Sequence, residues 1–207
     1  MRRKKLKISS EALNYFELEV QRQGFKKIGG IDEAGCGSLC GPVVAAAVIL
    51  DPNNLISGIN DSKKISIKKR NILFKKIKES AIGWSIGIVS AEEIDRINIR
   101  QATFKAMRNA VEKLNPLPDF ILVDGYSIPE LTISQRAIIK GDSKSISIAA
   151  ASIVAKVTRD ELMDAYHSLH PRYNFRKNKG YATLEHRQAL KLIGPSPLHR
   201  LSYRLSF

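Results

Sequence analysis

Apolar residues follow two rhythms along this chain, and each change of rhythm marks an element. Residues 10–23 repeat loosely at the spacing of an amphipathic helix that ends near Gly24. "KKIGGIDE" then reads as a first strand and "PVVAAAVIL" as a second, with glycines turning the chain between them and "DPNN" closing the second. From Ser62 onward, Ile65, Ile72, Leu73 and Ile77 return to helical spacing among lysines, and "GWSIGIVS" alternates as a third strand. Ser90, with Glu93 three residues later, predicts a capping box. The helix it opens carries Ile94, Ile97, Phe104, Met107, Val111 and Leu114, with a break midway, until the prolines of "NPLPD" stop it.

The second half of the chain alternates strand and helix. "FILV" is a short, fully apolar strand ending at Asp124-Gly125, and "RAIIK" a fifth strand ending at Gly141-Asp142. Ser143 to Tyr166 predicts one long helix whose first half, "ISIAAASIVAKV", is apolar nearly all round and therefore buried. A basic and aromatic segment follows, then the helix "TLEHRQALKLIG", ended by Gly194 and Pro195. Three early strands joined by short turns, followed by alternating strands and helices, predict an α/β fold around a sheet of mixed direction.

Composition narrows the partners. The 207 residues suffice for one core with small appended elements. Lys and Arg number 34 against 20 Asp and Glu, a net charge of +14 that attracts polyanions and releases their counterions on contact. Cys36 and Cys40 make no disulfide framework and point to a reducing compartment. Their C-x3-C spacing, with His167, His170, His186 and His199 scattered, is a weak zinc pattern. The opening "MRRKKLK" is followed by acids and no apolar core, so it reads as a solvated tail and not as a signal peptide. The longest apolar run, Val43 to Leu50, falls far short of a membrane span, and the expectation is a cytoplasmic protein without a membrane partner.

The candidate chemistry lies in four carboxylates. Asp32, Glu33, Asp124 and Asp142 each stand where an apolar strand ends, the position at which open α/β sheets bind ligands. Clustered anions repel, and a divalent cation such as Mg2+ relieves the repulsion while also accepting phosphate oxygens. Basic surface would hold a nucleic-acid backbone, and an acidic pit within it would carry metal to the scissile phosphate. One geometric difficulty arises, because neighbours on a regular strand face opposite ways. The strand is therefore expected to end or twist at Glu33.

Long blocks of the sequence resemble ribonuclease HII, the bacterial type 2 ribonuclease H. They include "GIDEAG" at 30–35, "GPVVAAAVIL" at 41–50, "NDSKK" at 60–64 and "EEIDRINIRQATFKAM" at 92–107. "LVDG" at 122–125, "IIKGDSKSISIAAASIVAKVTRDELM" at 138–163, "KGYATLEH" at 179–186 and "GPSPLHR" at 194–200 continue the likeness. The resemblance implies a ribonuclease H-like fold: a five-stranded mixed β-sheet flanked by helices, with a C-terminal helical extension. The chain then divides into a basic tail and helix (1–27), a catalytic domain (28–168) and a substrate-contacting extension (169–207). It implies hydrolysis of the RNA strand of RNA–DNA hybrids with two divalent ions, Mg2+ or Mn2+. It also implies incision 5′ of a ribonucleotide embedded in duplex DNA, leaving 3′-hydroxyl and 5′-phosphate ends. Asp32, Glu33, Asp124 and Asp142 match the family's catalytic, metal-binding quartet position for position. Gly35, Gly37 and Tyr181 match its substrate-reading loop and tyrosine, with Cys36 at the loop's middle position, and Lys63 is expected to hold phosphate. A monomer is expected, with a sliding clamp as a further partner.

Two residue readings depart from a simple carry-over. The family loop reads Gly-Arg-Gly where this chain has Gly35-Cys36-Gly37, so a charged fork is missing and weaker substrate affinity or junction selectivity is expected. Asp160 in "TRDE" is taken as structural, and Tyr173 and Phe175 as core aromatics. The rival readings are a catalytically impaired hybrid-binding protein and a small-molecule metallophosphatase; a Cys36 nucleophile would leave the four acids without a role.

Overall fold

The computed structural model describes residues 13–60 and 65–205. Five strands form one sheet: β1 (Ile28–Ala34), β2 (Val43–Ile49), β3 (Gly83–Val89), β4 (Phe120–Asp124) and β5 (Ser134–Ile138), in the order β3-β2-β1-β4-β5. β1, β2 and β3 pair antiparallel, whereas β1, β4 and β5 run parallel. The expected five-stranded mixed sheet is therefore present. Of the first three strands, only β1 and β2 follow one another through a loop, because α2 (Ile67–Ser80) intervenes between β2 and β3. The expectation of three early strands joined by short turns is corrected there.

The helices before the sheet's centre settle as the pattern predicts, with local differences. α1 spans Tyr15–Arg22, and the start of the predicted segment lies outside the described residues. Ser66 caps α2 by accepting the Lys69 N–H, so Ile65 precedes the helix; Leu73 and Ile77 are buried, but Ile72 faces solvent. Ser90 accepts the Glu93 N–H and starts α3 (Ala91–Ile97). Only that half of the capping box forms, since the Glu93 carboxylate pairs with Lys105 at 2.6 Å and Arg96 at 3.1 Å. The predicted midway break is Asn98, whose φ of +65° ends α3 and whose side chain caps α4 (Ile99–Glu112) at Gln101.

Both faces of the sheet are covered. α4 packs on β2 and β3, joining Phe104, Met107 and Val111 to Ile31, Val43, Ala45 and Ile49. On the other face lies α5 (Ile146–Leu169), whose first turns are buried on every side, as its composition requires. It crosses β1 so closely that a Cβ at Gly30 would fall 2.1 Å from the Ser147 backbone. Glycine is needed there for helix–strand approach alone. A separate apolar cluster carries the C-terminal elements: Leu39, Cys40 and Met163 meet Tyr173, Phe175 and Leu190. Phe175 opens the short helix α6 (Phe175–Asn178), and Leu190 lies on α7 (Leu184–Ile193).

Candidate active site

Around β1, Asp32 lies within electrostatic reach of Glu33 and Asp124. Pairing of β1 with β4 stops at Ile31–Val123, while pairing with β2 continues through Asp32–Ala46 and Glu33–Ala45 to Ala34–Val44. The strand does not end at Glu33 but runs on to Ala34, which corrects that part of the expectation. Alternation is kept: Asp32 turns to α5, where Ser152 bonds its carboxylate, while Glu33 accepts the Cys36 thiol at 3.5 Å. Both can still serve one place because they stand at the open end of the ladder, beyond the last β4 pair. Glu33 lines a cavity there together with Ser152 of α5.

Asp32 is almost fully buried, and its Oδ1 accepts the Glu33 N–H at 2.7 Å. Burial, followed by the charges of Glu33 and Asp124, raises its pKa well above the usual carboxylate range. Asp124, the last residue of β4, accepts the Gly141 N–H at 2.6 Å. That bond draws the one-turn 3-10 segment Gly141–Ser143 against β4, so Asp142, itself buried, follows directly on a residue bonded to Asp124. Ser145 N–H returns to the Gly141 carbonyl at 2.8 Å and fixes the same turn to the start of α5.

The donor set suits a hard divalent cation: all oxygen, and with an electrostatic cost that a cation relieves. Among the described residues no three His, Cys, Asp or Glu side chains form a group that could by itself hold a metal ion. An open set of carboxylates, completed by substrate phosphate and water, is the arrangement that Mg2+ favours.

Beside the carboxylates is a cavity of about 410 Å³ lined by Glu33, Ala34, Gly35, Cys36, Gly37, Ser152, Lys156 and Tyr181. Four residues singled out in the sequence as substrate-reading therefore share one space with one of the four acids. Lys63 lies outside the described residues. Gly35 has φ +100°, and a Cβ there would sit 2.1 Å from Arg159 Nε, so this turn admits glycine alone. The Cys36 thiol touches Thr103 Oγ1 at 3.2 Å, and burial pushes its pKa up to about 12, so it stays neutral and unreactive near pH 7. Asp160 pairs with Lys156 at 2.7 Å and Arg70 at 3.7 Å, holding Lys156 at the cavity edge.

Sequence reading missed two buried arginines that build the loop. Arg159 donates to the Pro42, Cys40 and Lys179 carbonyls and to Ser38 Oγ. Arg200 donates to the Gly35, Cys36 and Gly41 carbonyls, and Tyr203 adds a second bond to Cys36. Each is fully buried, its charge dispersed mainly over carbonyl oxygens. The only signal in the sequence is an arginine inside a largely apolar helix and another in a proline-rich turn. The Tyr181 ring packs against the same framework, 5.4 Å from Arg159 Cζ and 5.6 Å from Lys156 Nζ.

Comparison with known proteins agrees with this architecture. The profile of the family Ribonuclease HII matches residues 29–207. The chain is 53% identical over 193 residues to a ribonuclease HII of Clostridioides difficile, covering 93% of this chain and 76% of that protein. A ribonuclease HII of Caldicellulosiruptor bescii is 52% identical over 196 residues, covering 94% and 95% respectively. Among solved structures, the PCNA:RNase HII complex from Archaeoglobus fulgidus matches with TM-score 0.76 and 27% identity, over 88% of this chain and 97% of that one. Bst-RNase HIII in complex with Mn2+ shares the fold at TM-score 0.70 and 19% identity, over 91% and 70%. The chain belongs to the ribonuclease HII family and is an endoribonuclease of the ribonuclease H type.

Proposed function

We propose that the protein incises RNA–DNA hybrids and cuts 5′ of ribonucleotides embedded in duplex DNA, leaving 3′-hydroxyl and 5′-phosphate ends. The observation that carries this reading is the shared cavity, in which an acid of the quartet, a glycine loop and a tyrosine face one another. Asp32, Glu33, Asp124 and Asp142 would hold two divalent ions, Mg2+ or Mn2+. Such ions, when bound, activate water and offset charge on the leaving oxygen.

The chain's own residues supply recognition. Lys156 places a positive charge at the cavity for a phosphate, and the net charge of +14 attracts the rest of the backbone. The glycine loop, its Gly35 and Cys36 carbonyls already committed to Arg200, offers a path for close approach to a sugar. The Tyr181 ring, backed by two cations, forms a wall on which the ribonucleotide sugar packs, and the 2′-hydroxyl is the group that distinguishes RNA there. Cys36 provides no charge, so affinity for the junction is lower than an arginine would give.

Two free thiols and the absence, among the described residues, of a helix able to cross a membrane support a cytoplasmic setting. The likeness to the archaeal protein solved with PCNA supports a sliding clamp as partner. The test is a duplex with one embedded ribonucleotide, incubated with Mg2+, Mn2+ or EDTA and mapped for both ends. Metal-dependent 5′-side incision is expected, and Asp124→Asn should fold yet not turn over. Cleavage in EDTA, or tight binding with no cleavage in either metal, would overturn the reading.

A further inference from the structure

Two buried histidines fall outside the mechanism above. His186 on α7 and His199 beyond it are fully or almost fully enclosed, and their Nε2 atoms meet at 3.0 Å. One backbone donor fixes every proton in the pair. The Ser196 N–H donates to His199 Nδ1 at 2.9 Å, so that nitrogen carries no hydrogen. His199 must then be protonated at Nε2 and donate to His186 Nε2. His186 is left with its proton on Nδ1, which donates to the Tyr181 carbonyl at 2.9 Å. The chain of donors runs from Ser196 through both rings to Tyr181, with each imidazole neutral.

The far end of this chain is tied to the opposite wall of the cavity. His199 forms an isolated antiparallel bridge with Cys40. Its neighbours clamp the same stretch: Arg200 N–H donates to Leu39 at 2.9 Å, and Gly41 N–H donates to Leu198 at 2.8 Å. Arg200 in turn grips the Gly35 and Cys36 carbonyls. The distance between Tyr181 and the glycine loop is therefore spanned by the histidine pair.

We infer that His186 and His199 are positioning residues for substrate recognition, a doubly neutral pair that sets Tyr181 against the glycine loop. This rests on the role proposed above for that cavity. An added proton is poorly received, since His186 Nε2 already faces a ring N–H and His199 Nδ1 already faces the Ser196 N–H, with only the Ser196 hydroxyl beside it at 2.9 Å. Burial lowers both histidines' pKa values, His199 to about 4, with the His186 ring opposing charge on His199. His170 from the end of α5 and Arg187 on α7 add positive charge and act in the same direction. The Tyr173 and Phe175 rings close the remaining sides and offer no anion. Acid therefore breaks the link, and recognition is lost as pH falls towards about 4.

Two variants and one spectrum test this. Glutamine at 199 can accept from Ser196 and donate to His186 without titrating; phenylalanine fills the space and does neither. On a duplex with one ribonucleotide, His199→Phe should raise KM about tenfold with kcat within about threefold, and His199→Gln should restore the wild-type KM. Below pH 6 the wild-type KM should climb more steeply than that of His199→Gln. Wild-type kinetics in His199→Phe, or equal losses in both variants, would reduce the pair to packing and overturn the inference. Should His199→Phe not fold, 15N spectra of histidine-labelled wild type decide. Protons on His186 Nδ1 and His199 Nε2 are expected at pH 7, and a charged ring or the opposite tautomers would overturn it. A wild type that binds but never cleaves counts against the functional reading alone, because the spectra still judge the pair.

Discussion

Gly35 and Gly37 lie two residues apart in one loop, and alanine should have opposite effects at the two. At Gly35 the φ of +100° lies in the region that L side chains resist, at about 1–2 kcal/mol. The new Cβ would also fall 2.1 Å from Arg159 Nε, 2.6 Å from its Cδ and 2.8 Å from the Pro42 carbonyl. The guanidinium must then leave Pro42, whose bond at 3.0 Å is charge-assisted. Such a bond contributes about 1.5–3 kcal/mol, which brings the expected loss to about 2.5–5 kcal/mol. For a chain of this size that lowers Tm by roughly 5–20 °C. At Gly37 nothing lies within 4 Å of the added carbon, so stability should change by no more than about 0.5 kcal/mol. Gly37→Ala instead places a methyl group in the cavity and should raise KM for the ribonucleotide duplex. Thermal melts of both variants, with single-turnover cleavage below both midpoints, separate these effects. A Gly35→Ala protein melting within 2 °C of wild type would refute the claim that Arg159 and the loop are packed to this tolerance.

Further outcomes follow from the same geometry. Cys36→Arg should tighten binding of the single-ribonucleotide duplex by about ten- to a hundredfold, the worth of one charge-assisted contact, as read by fluorescence anisotropy. With its pKa near 12, the Cys36 thiol should resist iodoacetamide at pH 8 in the folded protein and react freely once it is unfolded. Asp32→Asn should abolish turnover while raising the Tm of metal-free protein. The buried carboxylate has a raised pKa, so its ionised form opposes folding increasingly as pH rises above the usual carboxylate value; asparagine removes that cost and still accepts the Glu33 N–H. The same variant should lose most of the Mg2+-induced rise in Tm, measured by calorimetry at pH 7.

Much of the scaffold was legible because burial and periodicity coincide in it. The unbroken apolar run of β2 and the all-round apolar start of α5 are what a two-sided core demands, and Asn98 broke the helix where the pattern allowed it. Position along a strand sufficed to find Asp32 and Asp124, since each stands at the end of an apolar segment. Glu33 was harder. Its side chain keeps the opposite face, and only the early end of the β4 ladder lets it share the site, which is a fact of register between distant strands. Arg159 and Arg200 were not legible at all, because their partners are backbone carbonyls 117 and 165 positions away and no residue type announces them. The histidine pair was hidden likewise: His186 and His199 read as scattered until the fold closes them to 3.0 Å.

In the proposed function, Asp32, Glu33, Asp124 and Asp142 hold the ions that serve the neighbouring cavity. Anomalous diffraction from crystals soaked in Mn2+, with an RNA–DNA duplex bound, tests it most directly. Peaks bounded by Asp32, Glu33, Asp124 and Asp142 are predicted, and they should vanish in Asp124→Asn. Mn2+ bound elsewhere, or no peak among these acids at a concentration that supports full cleavage, would contradict the account.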